Sequence, residues 1–122
     1  MNLCPFCAAW RERTLIITEH AVAFTDAFPV AKGHMLGVPR RHVGSIYEPS
    51  SAEQAVIWEL VGNVREQLAP DGFNIGVNDG LAAGQTVMHA HVHIIPRWEG
   101  DVPDPRGGIR WVIADKARYW NQ

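Results

Sequence analysis

Between Val87 and Ile95 the chain places a histidine at every second position, His89, His91 and His93, with Met88, Ala90, Val92 and Ile94 completing the alternation. A period of two belongs to the β-strand, because successive side chains on a strand point to opposite faces. Val87 to Ile95 is therefore expected to form a strand. Its Met88, Ala90, Val92 and Ile94 face would pack on a core, and its other face would carry three imidazoles roughly 6 to 7 Å apart. A single outward histidine is an ordinary half-exposed residue. Three in strict alternation gather groups that titrate near neutrality on one surface, and that combination points to chemistry.

The rest of the chain supplies partners for such a strand. Thr14 to Ile17 reads as a short β-branched strand, and His20 to Phe24 as its return. Pro29 and the Lys32-Gly33 turn lead into His34 to Val38, stopped by Pro39. Ser50 to Ala69 is the clearest helix, with Val56, Ile57, Leu60, Val61, Val64 and Leu68 on one apolar face. Ser50 and Glu53 fit a capping box, and Pro70-Asp71-Gly72 ends the helix. Phe73 to Val77 alternates as a further strand. The order predicts an α+β domain over residues 1 to 122, an antiparallel sheet of about five strands with one long helix. Residues 98 to 122, with Pro103, Pro105 and Gly107-Gly108, are expected to be extended loop and arm.

Composition removes several classes of function. With 122 residues, 47% hydrophobic and 20% charged, the chain suits one globular domain. Eleven basic against thirteen acidic residues give a net charge of −2, so no broad positive field exists to hold a nucleic-acid polymer. No stretch approaches the roughly 18 apolar residues of a membrane helix. Met1 to Glu12 lacks a basic flank followed by a long apolar run, and Cys4 and Cys7 are too close to close a useful loop, so a reducing cytoplasm is the expected setting. Of the tryptophans, Trp58 is expected in the core or at a subunit contact. Trp98, Trp111 and Trp120 in the tail are expected to lie against a second subunit.

Two chemistries suit the histidine run. A catalytic zinc wants its nitrogen ligands at about 2.0 to 2.1 Å, yet His89 and His93 on one strand are roughly 13 Å apart at their backbones. Nucleophilic catalysis asks only for one neutral imidazole held in one tautomer and surrounded by donors, and His91 has a histidine on either side. The preceding loop, Asn78 to Thr86, adds amides, a hydroxyl and flexible glycines in the manner of a phosphate cradle. Cys4-x-x-Cys7 suits half of a tetrahedral zinc site better than a redox pair, which usually opens a helix after a strand. Two buried free thiols are the plainer alternative. His20 reads as a turn histidine, and Arg40-Arg41 as a solvated turn.

Gly84-Gln85-Thr86-Val87-Met88-His89-Ala90-His91-Val92-His93-Ile94-Ile95 resembles the signature of the histidine triad (HIT) family, and Ala23 to Asp26 and Gly33 to Pro39 resemble the family's earlier strands. Pro96-Arg97 followed by Gly100-Asp101 is similar to the branch of the fragile histidine triad and dinucleoside polyphosphate hydrolases. The Trp-Pro-Pro-Gly ending of the phosphoramidase branch is missing. The resemblance implies a nucleotide hydrolase or transferase in which His91 attacks the α-phosphorus while the His89 carbonyl fixes its tautomer. It implies that Asn78, Gln85, Thr86 and His93 hold phosphate oxygens, with Thr86 on the leaving oxygen, and that His34 lines the pocket. Asp26 would bind ribose, with Phe6 and Phe24 beside the base. No catalytic metal is implied. Relatives with an N-terminal Cys-x-x-Cys imply a structural zinc on Cys4, Cys7, His42 and His89. Family dimers, with sheets joined across the two-fold axis, imply a homodimer in which Trp98, Arg110 and Trp111 shape the pocket or the interface. A dinucleoside polyphosphate is the preferred substrate, with a nucleoside phosphoramidate or adenylylated conjugate as runner-up. A zinc-stabilised nucleotide-binding module with little turnover is the reading from another class.

Overall fold

The computed structural model describes residues 4–8 and 10–121. A 3-10 turn, Pro5–Cys7, and a short helix α1 (Trp10–Arg13) precede three strands, β1 (Thr14–Ile17), β2 (Ala21–Thr25) and β3 (Met35–Pro39). Helix α2 (Ser51–Leu68) follows, then β4 (Gly72–Gly76) and β5 (Val92–Arg97). The five strands form one antiparallel sheet in the order β1-β2-β3-β5-β4. Among the described residues, no helix is long and apolar enough to cross a membrane.

Helix α2 starts where the sequence signals it. Ser50 accepts from the Glu53 N–H while the Glu53 carboxylate accepts from the Ser50 N–H, satisfying two donors that a helix start leaves open. It ends at Ala69, held in the left-handed region at φ 44°, before Pro70. Its buried stripe, Ile57, Leu60, Val61 and Val64, packs on Ala21, Ala23, Met35, Val92 and Ile94 of the sheet. Leu60 is 1% exposed, so truncating it to Ala removes about 2–5 kcal/mol. The opposite face of the sheet carries a second cluster, Val22, Phe24, Leu36 and Val38, with Phe6 packed against it. His93 pairs directly with Leu36 and so stands on this second face, away from the helix.

The histidine strand departs from expectation at its start. It begins at Val92, not Val87, and buried and half-buried residues alternate only from there. Met88 is 44% exposed and belongs to no core. The cause lies across the sheet: in the β3–β5 register the residue that would pair with Ala90 is Pro39, which has no N–H to continue the ladder. The chain from 87 to 91 leaves the sheet and lies along another segment, with the Ala90 N–H donating to the Val43 carbonyl at 2.7 Å. Smaller departures are one-residue shifts of β2, β3 and β4 and the short helix α1, which was not expected.

Trp58 is 59% exposed and lies outside both core clusters, which removes the core alternative expected for it. The tail is not an extended arm. Glycines at 107 and 108, with φ of 95° and 46°, reverse it into short 3-10 turns, and a Cβ at 107 would sit 3.0 Å from the Ala117 carbonyl and the Trp111 ring nitrogen. Arg106 covers the Trp120 ring at 4.3 Å, and Arg118 covers Trp111 at 5.0 Å, so the arginine and tryptophan side chains pack on one another.

Candidate active site

The three histidines serve three different neighbourhoods, and the rings of His89 and His91 each have one nitrogen fixed by a carbonyl. His91 Nδ1 lies 2.8 Å from the His89 carbonyl. A carbonyl only accepts, so Nδ1 carries a proton, and in the neutral ring the lone pair is on Nε2. The ring is 7% exposed and stands between Phe6 and His93, at centroid distances of 4.9 and 5.1 Å.

His93 faces His34 and Asp26. The Val30 N–H donates to His34 Nδ1 at 3.1 Å, so the proton of neutral His34 is on Nε2, which donates to His93 Nδ1 at 3.0 Å. His93 therefore carries its own proton on Nε2. Burial pushes the pKa of both rings down, which keeps them neutral, while Asp26 pulls the other way. Asp26 Oδ2 lies 3.4 Å from His34 Nε2 and 3.9 Å from His93 Nδ1, and its other oxygen accepts from the Phe28 N–H. The β2–β3 hairpin brings this group together, since Asp26 and His34 follow and precede paired strand ends. These three donors lie close enough to hold an ion. The Val30 amide opposes that, because it occupies Nδ1 of His34 and leaves Nε2 protonated.

His89 turns the other way. It is fully buried and donates from Nε2 to the Pro39 carbonyl at 2.7 Å, which leaves the lone pair on Nδ1. That nitrogen lies 3.5 Å from both Cys4 Sγ and Cys7 Sγ, and His42 Nδ1 lies 3.2 Å from Cys7 Sγ. All four donor atoms lie within 4.8 Å of one another. A tetrahedral ion with sulfur at about 2.3 Å and nitrogen at about 2.0 to 2.1 Å has S···N edges of about 3.5 Å, so the donor set fits such an ion. Burial pushes the Cys4 thiol up in the absence of metal charge.

The loop before the triad is braced, not slack. Asp79 accepts from the Ser45 hydroxyl and the Ile46 N–H at 3.2 and 3.1 Å. Gln85, expected to hold phosphate, is buried, and its amide donates to the carbonyls of Gly44 and Val87 while accepting from the Gly80 N–H. Its backbone N–H is also engaged, with the Gly80 carbonyl, so Gln85 has no donor left for a ligand and acts as a brace. Asn78 is half-buried, and Thr86 is exposed. Phe24 is 0% exposed, so it backs Phe6 at 5.5 Å and does not present a face to a base. A cavity of about 320 Å³ opens beside His34, His93 and Asn78, walled by Ile75, Val77 and Ile95. Ile109 and Val112 of the tail close its far side, and a larger cleft of about 700 Å³ continues past them to Trp98 and Trp111. The residues that sequence reasoning missed act through the backbone: the Val30 amide and the Pro39 carbonyl. Pro29 before Val30, Pro39 itself and the hairpin length were the available signals.

A family model described as the HIT domain matches residues 10–100. An uncharacterized HIT-like protein of Methanocaldococcus jannaschii is 44% identical over 106 residues, 81% of this chain and 82% of that one. Two Schizosaccharomyces pombe enzymes are also similar. An adenosine 5'-monophosphoramidase is 39% identical over 80 residues (66% of this chain, 60% of that protein). An asymmetrical bis(5'-nucleosyl)-tetraphosphatase is 36% identical over 88 residues (69% of this chain, 48% of that protein). The crystal structure of a HIT family member from Bacillus subtilis superposes with a TM-score of 0.68 at 32% identity, covering 81% of this chain and 76% of that one. The family model spans well over half of the chain, and the chain belongs to the HIT domain family.

Proposed function

We propose that this HIT-type enzyme is a nucleotide hydrolase that cleaves at the α-phosphate through a covalent nucleotidyl-histidine on His91, with a dinucleoside polyphosphate as preferred substrate. The observation that carries the reading is the 2.8 Å bond from His91 Nδ1–H to the His89 carbonyl, which leaves Nε2 as a neutral nucleophile. Nε2 attacks the α-phosphorus, a P–N bond forms, and the P–O bond to the leaving phosphate breaks. Water then adds to phosphorus, the P–N bond breaks and the nucleoside monophosphate leaves, its second proton passing to solvent. His93 presents an Nε2–H donor to phosphate oxygens, joined by Asn78, and Thr86 serves the leaving oxygen. Asp26 takes the ribose hydroxyls.

A nucleoside phosphoramidate or adenylylated conjugate uses the same nucleophile, and the likeness to the fission-yeast monophosphoramidase supports that second reading. In this reading the chemistry needs no catalytic metal. Cys4, Cys7, His42 and His89 hold a structural zinc, which ties the Cys4–Cys7 turn to the residue beside the nucleophile. A homodimer belongs to the same proposal: β4 is an edge strand, and Val112 and Ile113 in the tail are 75% and 61% exposed. A reducing cytoplasm suits the thiol pair.

The test is to incubate the protein, without added metal, with dinucleoside polyphosphates and an adenosine phosphoramidate, following product release and intact protein mass. The expected result is an adduct of one nucleoside monophosphate, absent in His91→Ala, with the dinucleoside polyphosphate fastest. Binding without adduct or turnover would favour the binding module. Phosphate displacing water as acceptor would make the protein a phosphorylase.

A further inference from the structure

The turn between the two cysteines has a second product besides the sulfurs. Pro5–Cys7 is one 3-10 turn, and it directs Phe6 onto the sheet face that carries the triad. The Phe6 ring meets His91 at 4.9 Å with an interplanar angle of 79°, and meets Phe24 at 5.5 Å and 62°. Phe24 is fully buried, so Phe6 is held between a core ring that has no room to move and the nucleophile's imidazole. The edge-to-face geometry at these separations is the favoured one for aromatic pairs.

His91 needs such a contact. Its ring hydrogen bond to the His89 carbonyl fixes the tautomer but leaves the ring plane some freedom about that bond. Phe6 on one side and His93 on the other remove that freedom. The cysteines on either side of Phe6 meet a fixed point, because His89 is fully buried and tied to the Pro39 carbonyl. Their contacts to His89 and His42 without an ion are weak thiol hydrogen bonds, whereas metal–thiolate bonds would set the turn rigidly.

We propose that Phe6 is a positioning residue for His91, and that the Cys4, Cys7, His42, His89 cluster acts on the nucleophile through it. A metal fixes the turn, the turn fixes Phe6, and the edge of Phe6 fixes the imidazole plane. This rests on His91 being the nucleophile and on the cluster holding a metal.

The experiment uses zinc-loaded full-length protein, wild type, Phe6→Leu and Phe6→Tyr, read by metal content, by nitrogen NMR of the His91 ring, and by kcat and KM on a dinucleoside polyphosphate. Phe6→Leu is expected to keep its zinc and its KM, to broaden the His91 ring signals and to lower kcat on the order of 10- to 100-fold. Phe6→Tyr, which keeps the ring edge, restores the signals and most of kcat. Chelation of the wild type reproduces the broadening, and chelation of Phe6→Leu adds little further, as two steps of one pathway require. Unchanged His91 signals in zinc-loaded Phe6→Leu overturn the proposal. So does a raised KM at unchanged kcat, which would make Phe6 a base contact, and so do fully multiplicative effects of chelation and substitution. Should Phe6→Leu fail to fold, the Phe6→Tyr and wild-type chelation arms still decide. The NMR reading needs no turnover, so a wild type without adduct would sink the hydrolase reading while leaving this result interpretable.

Discussion

Two groups of metal-capable donors flank His91, and they differ in the polarity of one backbone partner. In the first, His89 gives its Nε2 proton to the Pro39 carbonyl, and its free lone pair points at two sulfurs. In the second, His34 receives the Val30 amide proton on Nδ1, and its remaining nitrogen points a hydrogen at His93. A carbonyl behind an imidazole makes it a ligand, and an amide behind it makes it a donor. Similar side chains at similar distances thus diverge, one group suited to an ion and the other to a hydrogen-bonded chain ending at His93.

That contrast can be broken at several points. The largest effect is expected at the residue both groups serve: His91→Ala should lower turnover at least on the order of a thousandfold while retaining nucleotide binding, measured by steady-state rates and calorimetry. Next comes the ligand group. Cys7→Ser should lose bound zinc and several kcal/mol of stability, seen in metal analysis and thermal melts, because binding to such a site stabilises the folded state. Unchanged metal in Cys4→Ser and Cys7→Ser alike would remove both from the site. The donor group should respond the other way. His34→Phe is expected to keep its metal and lower kcat about 10- to 100-fold by releasing the His93 ring. Loss of zinc from that variant would mean that the two groups are one unit.

Acid should reveal the donor group separately. His34 and His93 have pKa values held below the ordinary 6.5, chiefly by burial. As pH falls through 6.5, the unfolded chain takes up protons that the native rings refuse, so stability drops on acidification and is level above that value. Urea titrations on both sides of 6.5 should show a smaller slope for His34→Phe than for the wild type. An equal slope would assign the acid sensitivity elsewhere. The smallest effect lies far from both groups: Ala69→Gly, relieving φ 44°, should raise stability by about 0.5–1 kcal/mol with no change in rate or metal content.

What the sequence showed and what it hid divide along the same line between side chain and backbone. Helix α2 was legible through Ser50, Glu53 and its apolar stripe, because capping and periodicity are local properties. The sheet was legible through its turns, and its strand limits were off by a residue where pairing decides them. The start of β5 was not legible. Alternation continues unbroken from Val87, but the ladder needs a donor from β3, and Pro39 has none. Nor did the loop composition show that Gln85 would face inward, since its partners are carbonyls of Gly44 and Val87 that any residue supplies. The gathering of Asp26, His34 and His93 is a product of hairpin register and strand order.

The short segment from Val43 to Ile46 has a consequence for how such a chain tolerates changes in length. Val43 receives the Ala90 N–H, Gly44 receives the Gln85 amide, and Ser45 and Ile46 both bind Asp79. One inserted residue there would move His42, the loop before the triad and the approach to His91 together. Among the described residues, the turns after Arg97 carry no such shared anchorage to the triad loop, and side chains within the tail pack on one another. Lengthening or exchanging that tail is expected to reshape the cavity wall formed by Ile109 and Val112 while leaving the backbone bonds that hold the histidines in place.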